Sequence, residues 1–157
     1  MDIKGHVSII TGAAAGLGAS VAKQLAAKGC NVVINYSRSE ADAKETQAAC
    51  EAEGVETLLV QADVGDDAQC RRLADETMAK WGRIDSLVNN AGMTKYVAHD
   101  DLEGLTPDDF ADIFRINVTG VYQMIRAVAP HMKAGGLGSV VNISSTAGIS
   151  GGGSSVA

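Results

Sequence analysis

The octet Thr11-Gly12-Ala13-Ala14-Ala15-Gly16-Leu17-Gly18 follows directly on the apolar run Val7-Ser8-Ile9-Ile10. Glycines at this spacing, after a strand and opening a helix, bring bare backbone up to a pyrophosphate. Gly12 can turn tightly, Gly16 leaves no Cβ in the way, and Gly18 lets the helix pack closely. The helix N-terminus then offers unpaired N–H groups and partial positive charge to an anion. Ala14 and Leu17 belong to the same candidate phosphate loop. The competing reading is an ordinary strand-to-helix turn.

Further polar residues stand where later strands should end. The second apolar run closes with Asn35-Tyr36-Ser37-Arg38. A dinucleotide fold that takes NAD carries an acid here for the ribose hydroxyls, and one that takes NADP needs a cation for the extra phosphate. No acid stands at this point, while Arg38 can grip a phosphate in two-pronged fashion with the Ser37 hydroxyl beside it. The expected cofactor is therefore NADP(H) in preference to NAD(H). After the third run, Asp63-Val64 could accept a hydrogen bond from an adenine amino group. A helix cap is the bland alternative, but Asp66-Asp67 already supply one. After the fourth come Asn89-Asn90-Ala91-Gly92, whose amides could tie loops together while Ala91 and Gly92 admit a flat ring.

The elements that must carry these residues alternate along the chain. Strands are expected at Val7–Ile10, Val32–Asn35, Val55–Val60, Ile84–Val88 and Ser139–Ile143, short and poorly alternating, as in sheets covered on both faces. Leu17, Val21 and Leu25 recur every four residues before Gly29, which marks a helix with that apolar stripe. Ser39 is placed to cap a second helix ending near Gly54, and Asp66 or Asp67 a third reaching Trp81-Gly82. Thr106-Pro107-Asp108-Asp109 is a strong start for a long helix to about Lys133. The order β-α-β-α-β-α-β-α-β predicts one α/β domain with a parallel sheet and right-handed crossovers.

Composition excludes several function classes. A net charge of −6 argues against a nucleic-acid partner. No apolar stretch is long enough to span a bilayer, and the first residues lack the pattern of a signal peptide, so no membrane role and a cytoplasmic location are expected. Cys30, Cys50 and Cys70 have no CxxC spacing, and His6, His99 and His131 are scattered; no metal site is expected, and the cysteines read as small buried hydrophobes.

Taken together, T-G-x-x-x-G-x-G, Asp63, N-N-A-G, Asn117 in a long helix and Val141-Asn142-Ile143-Ser144-Ser145 resemble the short-chain dehydrogenase/reductase family, including its 3-oxoacyl-carrier-protein reductase-like members. The resemblance covers the whole chain. It implies a Rossmann-type, doubly wound parallel sheet in the order 3-2-1-4-5. Gly12, Gly16 and Gly18 would hold the pyrophosphate, Asp63 the adenine, and Asn90, Ala91 and Gly92 would lie against the ribose. Asn117 would kink its helix and bind a water in a proton relay. Ser145, with Ser144 as the competing choice, would hydrogen-bond the oxygen of a small carbonyl or alcohol substrate. The long helix commonly packs against another subunit in the family, so a homodimer or homotetramer is expected.

The family's tyrosine opens a Tyr-x-x-x-Lys motif about thirteen positions past that serine, which from Ser145 falls one position beyond Ala157. Tyr36, Tyr96 and Tyr122 are not followed by lysine four residues later. The 157 residues are thus expected to be a domain cut short before the catalytic acid, without the family's last strands and inactive by themselves. The alternative function is a nucleotide-binding module without catalysis. A methyltransferase also uses a glycine loop after its first strand. It usually has an acid ending the second, however, and Tyr36-Ser37-Arg38 and N-N-A-G speak against it.

Overall fold

Residues 2–157 are described by the computed structural model. The order runs β1 (Val7–Ile10), α1 (Gly16–Ala26), β2 (Asn31–Tyr36), α2 (Glu40–Glu51), β3 (Thr57–Gln61), α3 (Asp67–Trp81) and β4 (Ser86–Asn89). Then come α4 (Pro107–Phe114), a π-helical segment (Arg115–Gly120), α5 (Val121–Ala134), β5 (Ser139–Asn142) and the short α6 (Ala147–Ser150). The five strands pair in parallel in the order β3-β2-β1-β4-β5. The chain leaves β1 toward one side of the sheet and later returns to build the other. This places a crevice beyond the carboxyl ends of β1 and β4.

Successive strand residues point to opposite faces. Val7 and Ile9 join Val33, Val60, Leu73, Leu87 and Met124 in one core, on the side where α3 packs with α5. Ile10 joins Val32, Ile34, Ala22 and Ala43 in the other, beneath α1 and α2. Burying an aliphatic side chain of this size is worth about 1.5–3 kcal/mol. With both faces covered, these strands need no polar alternation. β5 differs: it forms an edge of the sheet, and Val140 and Val141 are exposed.

Several expectations need correction. The buried face of α1 is Gly18, Ala19, Ala22 and Ala26, with Val21 and Leu25 only partly buried and Leu17 56% exposed. A helix held this close to a sheet presents small residues to it. Ser39 stands at the start of α2 but makes no capping bond with its side chain; Glu40 and Asp42 in the first turn complement the helix dipole instead. The long helix is interrupted by the π-helical turn at Asn117, where the resemblance implies a kink, and it contains Pro130, whose missing N–H removes one helical bond. The third and fourth strands begin two residues later than expected, at Thr57 and Ser86.

The other caps form as the residues predict. Asp66 accepts the N–H groups of Ala68 and Gln69, and Gly82 closes α3 at φ 68°. Thr106 and Asp109 form a reciprocal capping box at α4. Lys95 Nζ donates to Asp109 at 2.7 Å and pins the loop after β4 to that helix. Its ammonium, with Thr106, lowers the Asp109 carboxyl to about 2. All three cysteines are free and buried. Burial is the main reason that the thiols of Cys30 and Cys70 are pushed up to about 11 and about 12, which keeps them protonated and unreactive near neutral pH. No helix among the described residues is long and apolar enough to cross a membrane.

Candidate cofactor and active site

The glycine loop is held from three directions. Thr11 Oγ1 accepts the backbone N–H groups of Asn90 and Ala91, each at 3.0 Å, and Asn90 Nδ2 donates to the carbonyls of Thr11 (3.0 Å) and Gly12 (3.1 Å). From β2, Asn35 Oδ1 accepts the Gly12 N–H at 3.2 Å, while its Nδ2 reaches the Ala62 carbonyl at 3.0 Å. From α2, Thr46 Oγ1 donates to the Ala14 carbonyl at 2.9 Å. Asn35 and Thr11 are almost wholly buried, so these bonds satisfy groups that water cannot reach.

The three glycines serve different needs. Gly12 (φ 62°) has a left-handed backbone, and a Cβ there would also lie 2.9 Å from Ala91 Cα. Gly16 (φ 58°) faces open space and is required by conformation alone. Gly18 has no unusual φ; a Cβ there would lie 2.5 Å from both Asn90 Nδ2 and the Gly12 carbonyl oxygen. Gly18 therefore packs the helix against the Asn90 loop as well as the sheet.

Helix α1 has Ala15 at its N-cap, which gives no side-chain capping bond, and no acid in its first turn, whereas α2, α3 and α4 each carry at least one there. Its N-terminal partial positive charge therefore meets no acid of its own first turn. Beyond the strand ends lies a cavity of about 360 Å³, lined by Gly12, Ser37, Arg38, Asp63, Val64 and Arg115 among others. Arg38 forms no ion pair among the described residues.

Asp63 does not cap α3. Its Oδ1 accepts the Gly65 N–H at 2.8 Å and its Oδ2 accepts Arg115 Nη1 at 2.9 Å. A second cleft of about 720 Å³ adjoins the first, with Asn90, Ala91 and Gly92 lining both. Asn117, Ser144 and Ser145 line this second cleft. Asn117, in the π-helical turn, pairs with both backbone groups of Met93: Oδ1 accepts the N–H and Nδ2 donates to the carbonyl, each at 2.8 Å. One N–H and one lone pair of the amide remain for a water. Ser145 Oγ accepts the Ala147 N–H at 3.1 Å and keeps its own proton to donate. Asn89 Nδ2 bonds Asn142 Oδ1 at 2.9 Å, fixing the end of β5 just before the serines.

The structure thus gathers most of the expected residues into two joined clefts. Ala14 and Gly16 line a neighbouring hollow beside α2, and Leu17 and Gly18 line none of these cavities. Thr11, Asn35 and Arg115 were given no role from sequence. Asn35 had a signal, being the one polar residue in the run Val32-Val33-Ile34-Asn35. Arg115 had none, since its partner Asp63 lies 52 residues away.

Comparison with known proteins agrees with this arrangement. The family model described as "short chain dehydrogenase" matches residues 6–157. The chain belongs to the short-chain dehydrogenase family. It is 44% identical over 150 residues to a Streptomyces violaceoruber protein named "Granaticin polyketide synthase putative ketoacyl reductase 2", covering 96% of this chain and 59% of that protein. A Burkholderia cenocepacia short-chain dehydrogenase in complex with NADP superposes with a TM-score of 0.88 at 32% identity, covering 98% of this chain and 61% of that one. NAD+-bound xylitol dehydrogenase gives 0.90 at 29% identity, covering 98% and 58%. This short-chain dehydrogenase chain spans about three fifths of the length of these proteins.

The Gly18 contacts generate a direct test. Gly18→Ala drives a methyl group into the Asn90 amide and the Gly12 carbonyl. Dinucleotide affinity is expected to fall about tenfold or more, read by fluorescence titration, and an unchanged affinity would show that the loop tolerates separation from Asn90.

Proposed function

We propose that this chain forms the cofactor site and part of the catalytic centre of an NADP(H)-dependent oxidoreductase acting on a carbonyl or hydroxyl compound. The observation that carries the reading is the cavity lined by Gly12 and Arg38: α1, which follows the glycine loop, has an uncapped, acid-free N-terminus, and Arg38 is in no ion pair among the described residues. Gly12, Ala14, Gly16, Leu17 and Gly18 hold the pyrophosphate through backbone groups. Ser37 and Arg38 take the 2′-phosphate, Asp63 and Val64 the adenine, and Asn90, Ala91 and Gly92 the ribose side. When bound, the nicotinamide supplies or accepts the hydride.

Ser145 donates its hydroxyl proton as a hydrogen bond to the substrate oxygen and strengthens that bond as the oxygen gains charge. Asn117 holds the wall of the cleft through Met93 and offers its remaining N–H and lone pair to a relay water. None of the three tyrosines of these 157 residues is followed by lysine four positions later, so this reading assigns proton donation to the developing alkoxide to none of them. Tyr36 is buried, and Tyr122 is exposed with Arg126 over its ring at 5.3 Å. Tyr96 lines the cleft but is 86% exposed and has no lysine four residues on. The ketoacyl reductase among the relatives supports a 3-oxoacyl thioester as substrate.

The exposed stripe Phe110, Phe114, Val118 and Tyr122, at four-residue spacing along α4, the π-helical segment and α5, supports a homo-oligomer. The free, buried cysteines suit a reducing, cytoplasmic setting.

Two substitutions in the full-length polypeptide test the reading. Arg38→Asp is expected to weaken NADPH binding about 10- to 100-fold with little change for NADH. Equal effects on both would remove Arg38 as the phosphate ligand. Ser145→Ala is expected to lower turnover about 100-fold or more with cofactor affinity nearly intact. An unchanged rate would transfer the role to Ser144 or abolish it. A full-length protein that binds NADPH and reduces no carbonyl compound would favour a binding module.

A further inference from the structure

Arg115 adds a polar tie between the turn after β3 and the start of the π-helical segment, which also meet where Val64 packs on Gly120. Its Nη1 donates to Asp63 Oδ2 at 2.9 Å, and its Nε reaches Asp112 Oδ1 at 3.4 Å. The other Asp63 oxygen is taken by the Gly65 N–H at 2.8 Å. Both oxygens of the carboxylate are thus held from fixed directions, and each keeps a lone pair for a further donor. The pair lies at the cavity mouth, with side chains 41% and 37% exposed, where an ion pair adds little to folding. Its orienting effect on Asp63 is a better account of it than stability.

Gly65 supplies a second, independent observation. Its φ lies outside the left-handed region, so conformation does not demand glycine. A Cβ there would stand 1.9 Å from Arg115 Nη1 and 2.8 Å from its Cζ. The absent side chain is the space in which the guanidinium lies.

We propose that Arg115, seated on Gly65, is the positioning residue that aims the Asp63 carboxylate at the exocyclic amino group of adenine and so sets the base specificity of the cofactor pocket. The inference rests on the adenine role proposed for Asp63. Arg115 acts on the base end of the cofactor, whereas Arg38 acts on the phosphate.

The test compares NADPH with its hypoxanthine analogue, in which a carbonyl replaces the amino group, in the full-length polypeptide. The unsubstituted protein is expected to prefer NADPH about tenfold or more. Arg115→Met keeps the apolar stem but removes the guanidinium, and should reduce that preference to about threefold or less. Gly65→Ala leaves every charge in place and displaces Arg115, and should have the same effect, with circular dichroism confirming the fold. Arg115→Lys should retain part of the preference. Affinities for NADPH and NADH, which share the adenine, should fall together, so that their ratio stays within about twofold. If Arg115→Met and Gly65→Ala retain the full preference for NADPH, Arg115 is a bystander and only this inference falls. If the unsubstituted protein binds both dinucleotides equally, the adenine role of Asp63 falls and the inference falls with it.

Discussion

Thr11 and Asn90 bridge the ends of β1 and β4 at the place where the chain's direction across the sheet reverses. Strands β1 and β4 are neighbours, but the loops leaving them diverge, and the crevice between those loops can hold a ligand only if its walls keep their separation. The Thr11 hydroxyl accepts two backbone N–H groups of the Asn90 loop, and the Asn90 amide returns two donors to the glycine loop. Leaving buried groups of this kind unpaired costs about 1–3 kcal/mol each. Two walls that could drift are therefore held as one. Gly12 and Gly18 follow from this constraint, because a side chain at either would enter the space that Ala91 and Asn90 occupy.

The rest of the site extends outward from that bridge. Asn35 carries the connection to β3 and hence toward Asp63. Met93, just past the bridge, carries it to Asn117 through a paired amide, and Asn89 carries it across to β5 and the serines. Polar side chains bonded to backbone, rather than ion pairs, do most of this work. Such contacts are directional and fix loop geometry more narrowly than apolar packing. The charged groups Arg38, Asp63 and Arg115 sit at the cavity rim, where they can meet a ligand.

Much of this was legible in the sequence because the governing signals are local. Short Val- and Ile-rich runs predicted every strand, and the 3-2-1-4-5 order followed from the resemblance to the family. Thr106-Pro107-Asp108-Asp109 announced its capping box. Legibility failed where long-range packing overrides local pattern. Leu17 fits the helical period but lies outward, because the sheet side of α1 accepts only small residues. The π-helical turn around Asn117 leaves no signature in apolar spacing, and only the resemblance to the family implies an irregularity there. The ion pair from Arg115 to Asp63 depends on two distant segments meeting at one edge, which a single sequence does not record.

The decisive measurement is a crystal structure of the full-length protein with NADPH. The pyrophosphate is expected within about 2.7–3.2 Å of backbone N–H groups at the start of α1, the 2′-phosphate on Ser37 and Arg38, and the nicotinamide end directed toward Ser145. A dinucleotide bound elsewhere, or one whose pyrophosphate lies away from the N-terminus of α1, would contradict it.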